Sequence, residues 1–444
     1  MIHASMLRRA GCRRIMLATS ALAMVVSLTA CGAVADPNAG DTTPTSNASC
    51  LGSDIGAKPA RLTVTQAGPA ALRVLGSCFD TVRYQAEIAV HGPIAYTSSW
   101  GFGSRTVGNK ISIWDVSGNT PMLVDSVIVA RALTTGDVEV SDDGQLLVVA
   151  TEFDPGSIAV YGLADPRHPA LLSQFSSAET VQGVHTAKLG RVNGKLYAFL
   201  GIDPVGDAYP ARLVIVDLSN PSSPTQVFSE IAGKPYVHDT YERDGLLFVA
   251  LWNDGVEILD IGGLGTGASP EHPQVLGSVV TAGGEVHNIW WYHDPSGSKR
   301  FAFVGQEGPG TVGSTSSGDI HVIDVSNLTA PKEVAFYHVD GAGTHNFSVD
   351  ETNGILYAAY YNAGIRALDI RGDLGTCPKS DQSFDAALNL SRCDLRLMGR
   401  ELATGLADVN RGVYVWGVSY QNGSLYASDM LNGIWKLGPA AQHK

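Results

Sequence analysis

The 444-residue chain reads as an all-β protein, a seven-bladed β-propeller of four-stranded antiparallel blades whose last blade is closed by a strand from near the N-terminus. Three observations predict it. One strand-rich unit recurs seven times, Gly, Asn and Asp turns separate the short strands within each unit, and no amphipathic helical stretch lies between units.

Residues 1–30 stand outside the fold. Arg8, Arg9, Arg13 and Arg14 precede an apolar run from Ile15 to Leu28, the pattern of an export signal. The run ends in Leu28, Thr29, Ala30 and Cys31, which resembles the bacterial lipobox; the resemblance implies cleavage before Cys31 and acylation of its thiol. An ordinary secretory signal with a chance cysteine is the alternative. Gly32 stands where an Asp would retain a Gram-negative lipoprotein at the inner membrane, so an outer-membrane or surface location is expected. Arg13 and Arg14 ahead of Ile15, Met16 and Leu17 also look loosely like a twin-arginine signal, although a plain basic segment explains the same residues. Residues 31–48 are small, polar and dotted with proline, a flexible tether to a membrane lipid.

Removing the first 30 residues takes four arginines and no acids, leaving 26 basic residues against 43 acidic ones, a net charge of −17. That surface excludes nucleic acid as a partner and electrostatic docking on anionic lipid, so attachment falls to the acyl chains. Four further cysteines, Cys50, Cys78, Cys377 and Cys393, are expected to form disulfides in an oxidising compartment. Of three connectivities, Cys50 with Cys78 and Cys377 with Cys393 join the pairs nearest in sequence.

Residues 49–444 form a single domain. The clearest unit runs from Tyr236 to Ile261: an alternating strand, a turn at Asp244 and Gly245, a buried strand, a turn at Asn253, Asp254 and Gly255, and a third strand ending in Asp260. Third strands recur from Ile111, Ile158, Leu213, Val256, Ile320, Ile365 and Ile434. Asp115, Asp217, Asp260, Asp324 and Asp369 close five of them. A carboxylate there can accept the free amides of the following turn, which makes these aspartates structural. Pro-rich turns lead to a fourth strand, as at Pro121, Pro169 and Pro273, but the seventh unit lacks one. Leu72 to Ser77 has that strand's character and is expected to complete the last blade, removing an exposed sheet edge. Residues 371–411 read as an insert before the seventh blade, with a short helix near Phe384 to Leu390.

The repeat resembles the LVIVD repeat, whose name Leu213, Val214, Ile215, Val216 and Asp217 spell out. The resemblance covers nearly everything after the tether. It implies a β-propeller, often exported, and carries no general activity.

One pattern exceeds scaffold. His185, His238, His287 and His345 stand near the start of the first strand of four successive units, followed by Thr186, Asp239, Asn288 and Asn346. The corresponding places elsewhere read as Glu87, Glu139 and Trp416. First strands run beside the propeller axis, so these positions form a ring at one end of the channel. Four converging imidazoles suit a single transition-metal ion, Fe, Cu, Zn or Ni, with Glu87 and Glu139 accepting the outer ring protons or binding directly. The arrangement is analogous to that of the carotenoid cleavage oxygenases, with no shared motif. A histidine repeated on first strands can equally hydrogen-bond a neighbouring blade. Long loops at Ser98–Asn109, Gly201–Pro210 and Gly305–Gly318 fall at the same end and bring Trp100, Phe102, Tyr209 and Glu307 toward a pocket. His91, His168, His272, His293, His321 and His338 are off register.

Serine-elbow, phosphate-loop and CxxC patterns are absent from the sequence, which leaves two functions beside a purely architectural role for the stacked blades. One is an envelope lipoprotein whose loop face binds a small ligand, glycan or protein. The other is a metalloenzyme, an oxidoreductase or hydrolase, using the four histidines.

Overall fold

The computed structural model describes residues 49–52, 70–80, 82–101, 107–153, 155–205, 208–308, 318–385, 389–407 and 412–440. Residues 1–48, and with them the export signal, Cys31 and the tether, lie outside these, as does Phe102.

The strands of each unit pair antiparallel in chain order from the axis outward, and blade seven takes its fourth strand from near the N-terminus. The innermost strands are Tyr84–His91, Val138–Val140, Val184–Val192, Thr240–Arg243, Val286–Trp291, Phe347–Asp350 and Val415–Gln421. Each packs beside the next, and the last returns to the first, so the ring is closed. These strands head blades one to seven. All seven expected third strands occupy third place. The third and fourth strands shift register in every blade, from Ile113/Trp114 in blade one to Val74/Gly76 in blade seven. A bulge repeated there adds twist, and twisted sheets stack face to face around an axis.

The core is therefore not one centre but a series of apolar layers between adjacent blades. Val149, Tyr161 and Ile111 lie in the layer between blades one and two; Phe199, Ile215 and Leu247 lie between three and four. The alternation of each middle strand places side chains on both faces, and both are covered, which explains the near-continuous apolar runs such as Leu246–Ala250. The strand-end aspartates behave as turn acceptors. The amide of the residue two positions on donates to Asp115, Asp217, Asp260, Asp324 and Asp369 in turn, at 2.7–3.0 Å.

Val74–Phe79 closes blade seven by pairing antiparallel with Gly433–Leu437, and Ser49–Gly52 adds a fifth strand outside it. In that outer pair Cys50 is set opposite Cys78. Cys377 and Cys393 form a disulfide, their Cα atoms 5.9 Å apart.

The insert departs from expectation. Gln382–Asp385 and Leu390–Asp394 form a β-hairpin instead of a helix, and Leu390–Asp394 runs parallel to the outer strand of blade five. The alanines of this stretch favour helix, but the open edge of blade five supplies backbone partners that override the preference. Glu401–Gly405, inside the same 371–411 segment, is the outer strand of blade six. That blade is interrupted by the insert, not followed by it.

Candidate functional site

The innermost strands reach the axis through bulges. Val184 pairs with Ile202 and Thr186 with Gly201, so His185 is the extra residue between them; His287 and Trp416 occupy the same place in blades five and seven. In blades four and six, the N–H of His238 or His345 donates to the carbonyl of one residue, Ala250 or Ala359, whose own N–H donates to the carbonyl of Asp239 or Asn346. Two residues oppose one in each case. A bulge turns its extra side chain out of the sheet, here into the channel.

The imidazoles follow one another around the axis. Ring centroids are 4.3 Å apart for His185 and His238, 4.0 Å for His238 and His287, and 4.0 Å for His287 and His345. His185 Nε2 and His238 Nε2 lie 2.9 Å apart. All four line a space of about 20 Å³ together with Glu87, Trp100, Glu152 and Trp416. That is room for one small species, an ion or a water. Trp416 packs on His345 and on Trp100, and Trp252 stacks on His238, forming an aromatic wall.

His287 is 2 % exposed, and neither of its ring nitrogens has a hydrogen-bond partner. The Nδ1 atoms of His185, His238 and His345 likewise make no hydrogen bond, although carboxylate oxygens stand beside those of His185 and His345. Burial, then neighbouring imidazoles, pushes His238 and His287 well below the usual histidine range; burial and then His185 do the same to His345. These rings are neutral, the form that binds metal.

Carboxylates approach from the loop side. Glu307 is 2 % exposed; its Oε1 accepts from the Tyr361 hydroxyl at 2.6 Å, while Oε2 is unpartnered and 3.7 Å from His238 Nε2. Glu152 Oε1 and Asp203 Oδ2 lie 3.4 and 3.7 Å from His185 Nδ1. Burial pushes Glu307 up to about 6 and Glu152 up to about 7. Burial would lower His185, but Asp203 and Glu152 hold it up at about 10. Among the described residues, two sets of ligand atoms lie within 4.8 Å of one another: those of His238, His287 and Glu307, and those of Glu152, His185 and Asp203.

The structure moves two expected residues. The carbonyl of Asp137 accepts from the Ala150 N–H as that of Asp239 does from Ala250, so Asp137 takes the place after the histidine and Gly136 the histidine's own place. Glu139 then falls one level deeper, where it pairs with Lys188 at 2.8 Å. Glu87 likewise sits one residue past the histidine level, which Ala86 occupies, yet its Oε1 reaches His345 Nδ1 at 3.2 Å. Burial pushes Glu87 up to about 8. Tyr209 is 49 % exposed and lines neither axial cavity.

Glu152 and Asp203 were not singled out from the sequence. The signal was present: each follows the second strand by one residue, as Glu307 does, and Trp252 and Tyr361 follow theirs by two. Lys188, three residues past His185, was missed because only the histidine column was aligned. Below the histidines, away from the long loops, a cavity of about 400 Å³ is lined by Glu87, Glu139, Lys188, Asp239, Asn288 and Asn346 with Tyr241, Trp290 and Tyr420. Among the described residues it is larger than the space between the histidines, while much of the three long loops on the other side lies outside the described residues.

Fold and site define a β-propeller with an axial cluster of imidazoles and carboxylates. Two stretches of it, residues 208–230 and 315–339, match the LVIVD repeat model. No curated protein sequence matches the chain. Among solved structures it is similar to Saccharomyces cerevisiae Sqt1, at 11 % identity over 83 % of this chain and 86 % of that one with a TM-score of 0.50. It is also similar to U3-55K, at 11 % identity over 84 % of this chain and 100 % of that one with a TM-score of 0.54. These likenesses concern the fold alone.

Proposed function

We propose that this chain is a cell-envelope LVIVD propeller that binds a divalent transition-metal ion at its axial histidines and admits a small ligand through the polar cavity beneath them. One observation carries the reading: His287, buried to 2 % exposure, has two unpartnered ring nitrogens beside the unpartnered Oε2 of Glu307. Buried polar atoms without partners are costly unless something absent from the chain itself satisfies them. His238, His287 and Glu307 offer two nitrogens and one oxygen, a donor set suited to Fe²⁺, Zn²⁺ or Mn²⁺, with His185 and His345 adjoining. The same set with open positions favours, as a second reading, oxygen or water activation by the ion, an oxidoreductase or hydrolase.

Purified full-length chain, assayed by metal mass spectrometry, is expected to carry bound transition metal that the His238→Ala, His287→Ala double variant loses. Equal metal content in both would refute the reading. Export with anchoring through Cys31 rests on the lipobox-like residues and is supported by the Cys377–Cys393 disulfide, which an oxidising compartment favours. Cys31→Ala should move the protein from the membrane fraction to the soluble one; retention at the membrane would refute the anchor.

A further inference from the structure

The donor atoms around the axis fall into two sets joined by one ring. His185 presents Nε2 to His238 Nε2 at 2.9 Å and Nδ1 to Glu152 Oε1 and Asp203 Oδ2 at 3.4 and 3.7 Å. The latter distances are not those of an imidazole bonded to a carboxylate. His168 meets Asp125 at 2.7 Å, His321 meets Glu333 at 2.8 Å and His338 meets Asp319 at 2.7 Å in the same molecule. Spacings near 3.4 Å are instead those between ligands held tetrahedrally about 2.1 Å from a shared ion. Glu152 is 3 % exposed, and both its Oε1 and His185 Nδ1 are unpartnered. Room is left for it: a Cβ at residue 136 would stand 2.2 Å from Glu152 Oε1, and glycine there keeps that space open.

We propose that the axis holds two divalent transition-metal ions that share His185. Its Nδ1, with Glu152 and Asp203, takes the second ion, while its Nε2 turns with His238 toward the first, which His287 and Glu307 complete. As the two ions bind, the Nε2–H and Nδ1–H protons of the His185 imidazolium both pass to solvent, and the imidazolate that remains bridges the pair. This rests on the metal-binding reading above, and the count of ions separates the two.

The full-length chain is loaded with excess Zn²⁺, desalted and counted by mass spectrometry, beside an Asp203→Asn variant whose fold is checked by near-ultraviolet circular dichroism. Two zinc ions per chain, falling to one in the variant, are expected. One ion in both proteins would overturn the second site and leave the first standing; none in either would remove both. Two ions in both proteins would also overturn the assignment of Asp203. Loading with Cu²⁺ gives an independent readout of the bridge: magnetically coupled copper is expected by electron paramagnetic resonance, and two uncoupled signals would overturn it.

Discussion

A β-carbon at position 136 would occupy the space into which Glu152 points, and one at position 417 would stand 2.8 Å from Glu87 Oε2. Gly136, just ahead of the innermost strand of blade two, and Gly417, within that of blade seven, thus leave room for two carboxylates at the axis. Gly136→Ala is expected to fold, because the obstructed atom is the end of a side chain, and to weaken metal binding about 10- to 100-fold through displacement of Glu152. Zinc titration against a chelator of known affinity checks this; unchanged affinity would place Glu152 outside the site. The four histidines were legible in the sequence because they recur at one register. The glycines were not, since an absent side chain leaves no chemical signal until the neighbour it accommodates is known. Glu139 was misplaced for a related reason: Gly136 holds the histidine's place in blade two and carries no side chain, so Glu139, three residues on, was read in its stead.

At the scale of the strand and turn, the third strands were the most legible elements, because buried alternation and a terminal aspartate recur together. Each of the five aspartates is held below the usual carboxylate range. For Asp115 the Ser117 hydroxyl is the main cause and the value falls to about 2; for Asp217, Asp260, Asp324 and Asp369 burial opposes the shift and turn hydrogen bonds outweigh it. A carboxyl group depressed in the folded state contributes stability above its unfolded value, about 3.9, and loses it as pH falls through the folded one. The fold should therefore weaken between about pH 4 and pH 2. Asp217→Ala should cost about 1 kcal/mol at pH 7 and flatten part of that acid dependence, as urea unfolding at pH 7 and pH 3 would show. An equal loss at both pH values would mean that the ionised turn acceptor is not the cause. The insert was the least legible element. Its hairpin is decided by the free edge of blade five, a partner that no local pattern names.

Across the whole molecule, the strand Val74–Phe79 is what makes seven sheets a closed ring. A chain beginning at Asp80 would leave the Gly433–Leu437 edge unpaired and is expected to aggregate or to lose its single cooperative transition in calorimetry; a monomer with wild-type melting would refute the closure role. Val74 pairs with Leu437, so nearly the entire sequence lies inside the loop that this contact closes. The entropy of so long a loop is a modest burden, since each doubling of length costs only about 0.6 kcal/mol. Time is the greater constraint. Emerging N-terminus first, whether from the ribosome or across a membrane, the polypeptide can complete the histidine-bearing blades three to six before the partner of its own early strand has emerged, and every shorter length remains open at one edge. A late encounter between the two ends of the chain, not the growth of any blade, is then the step that commits the molecule to its native form.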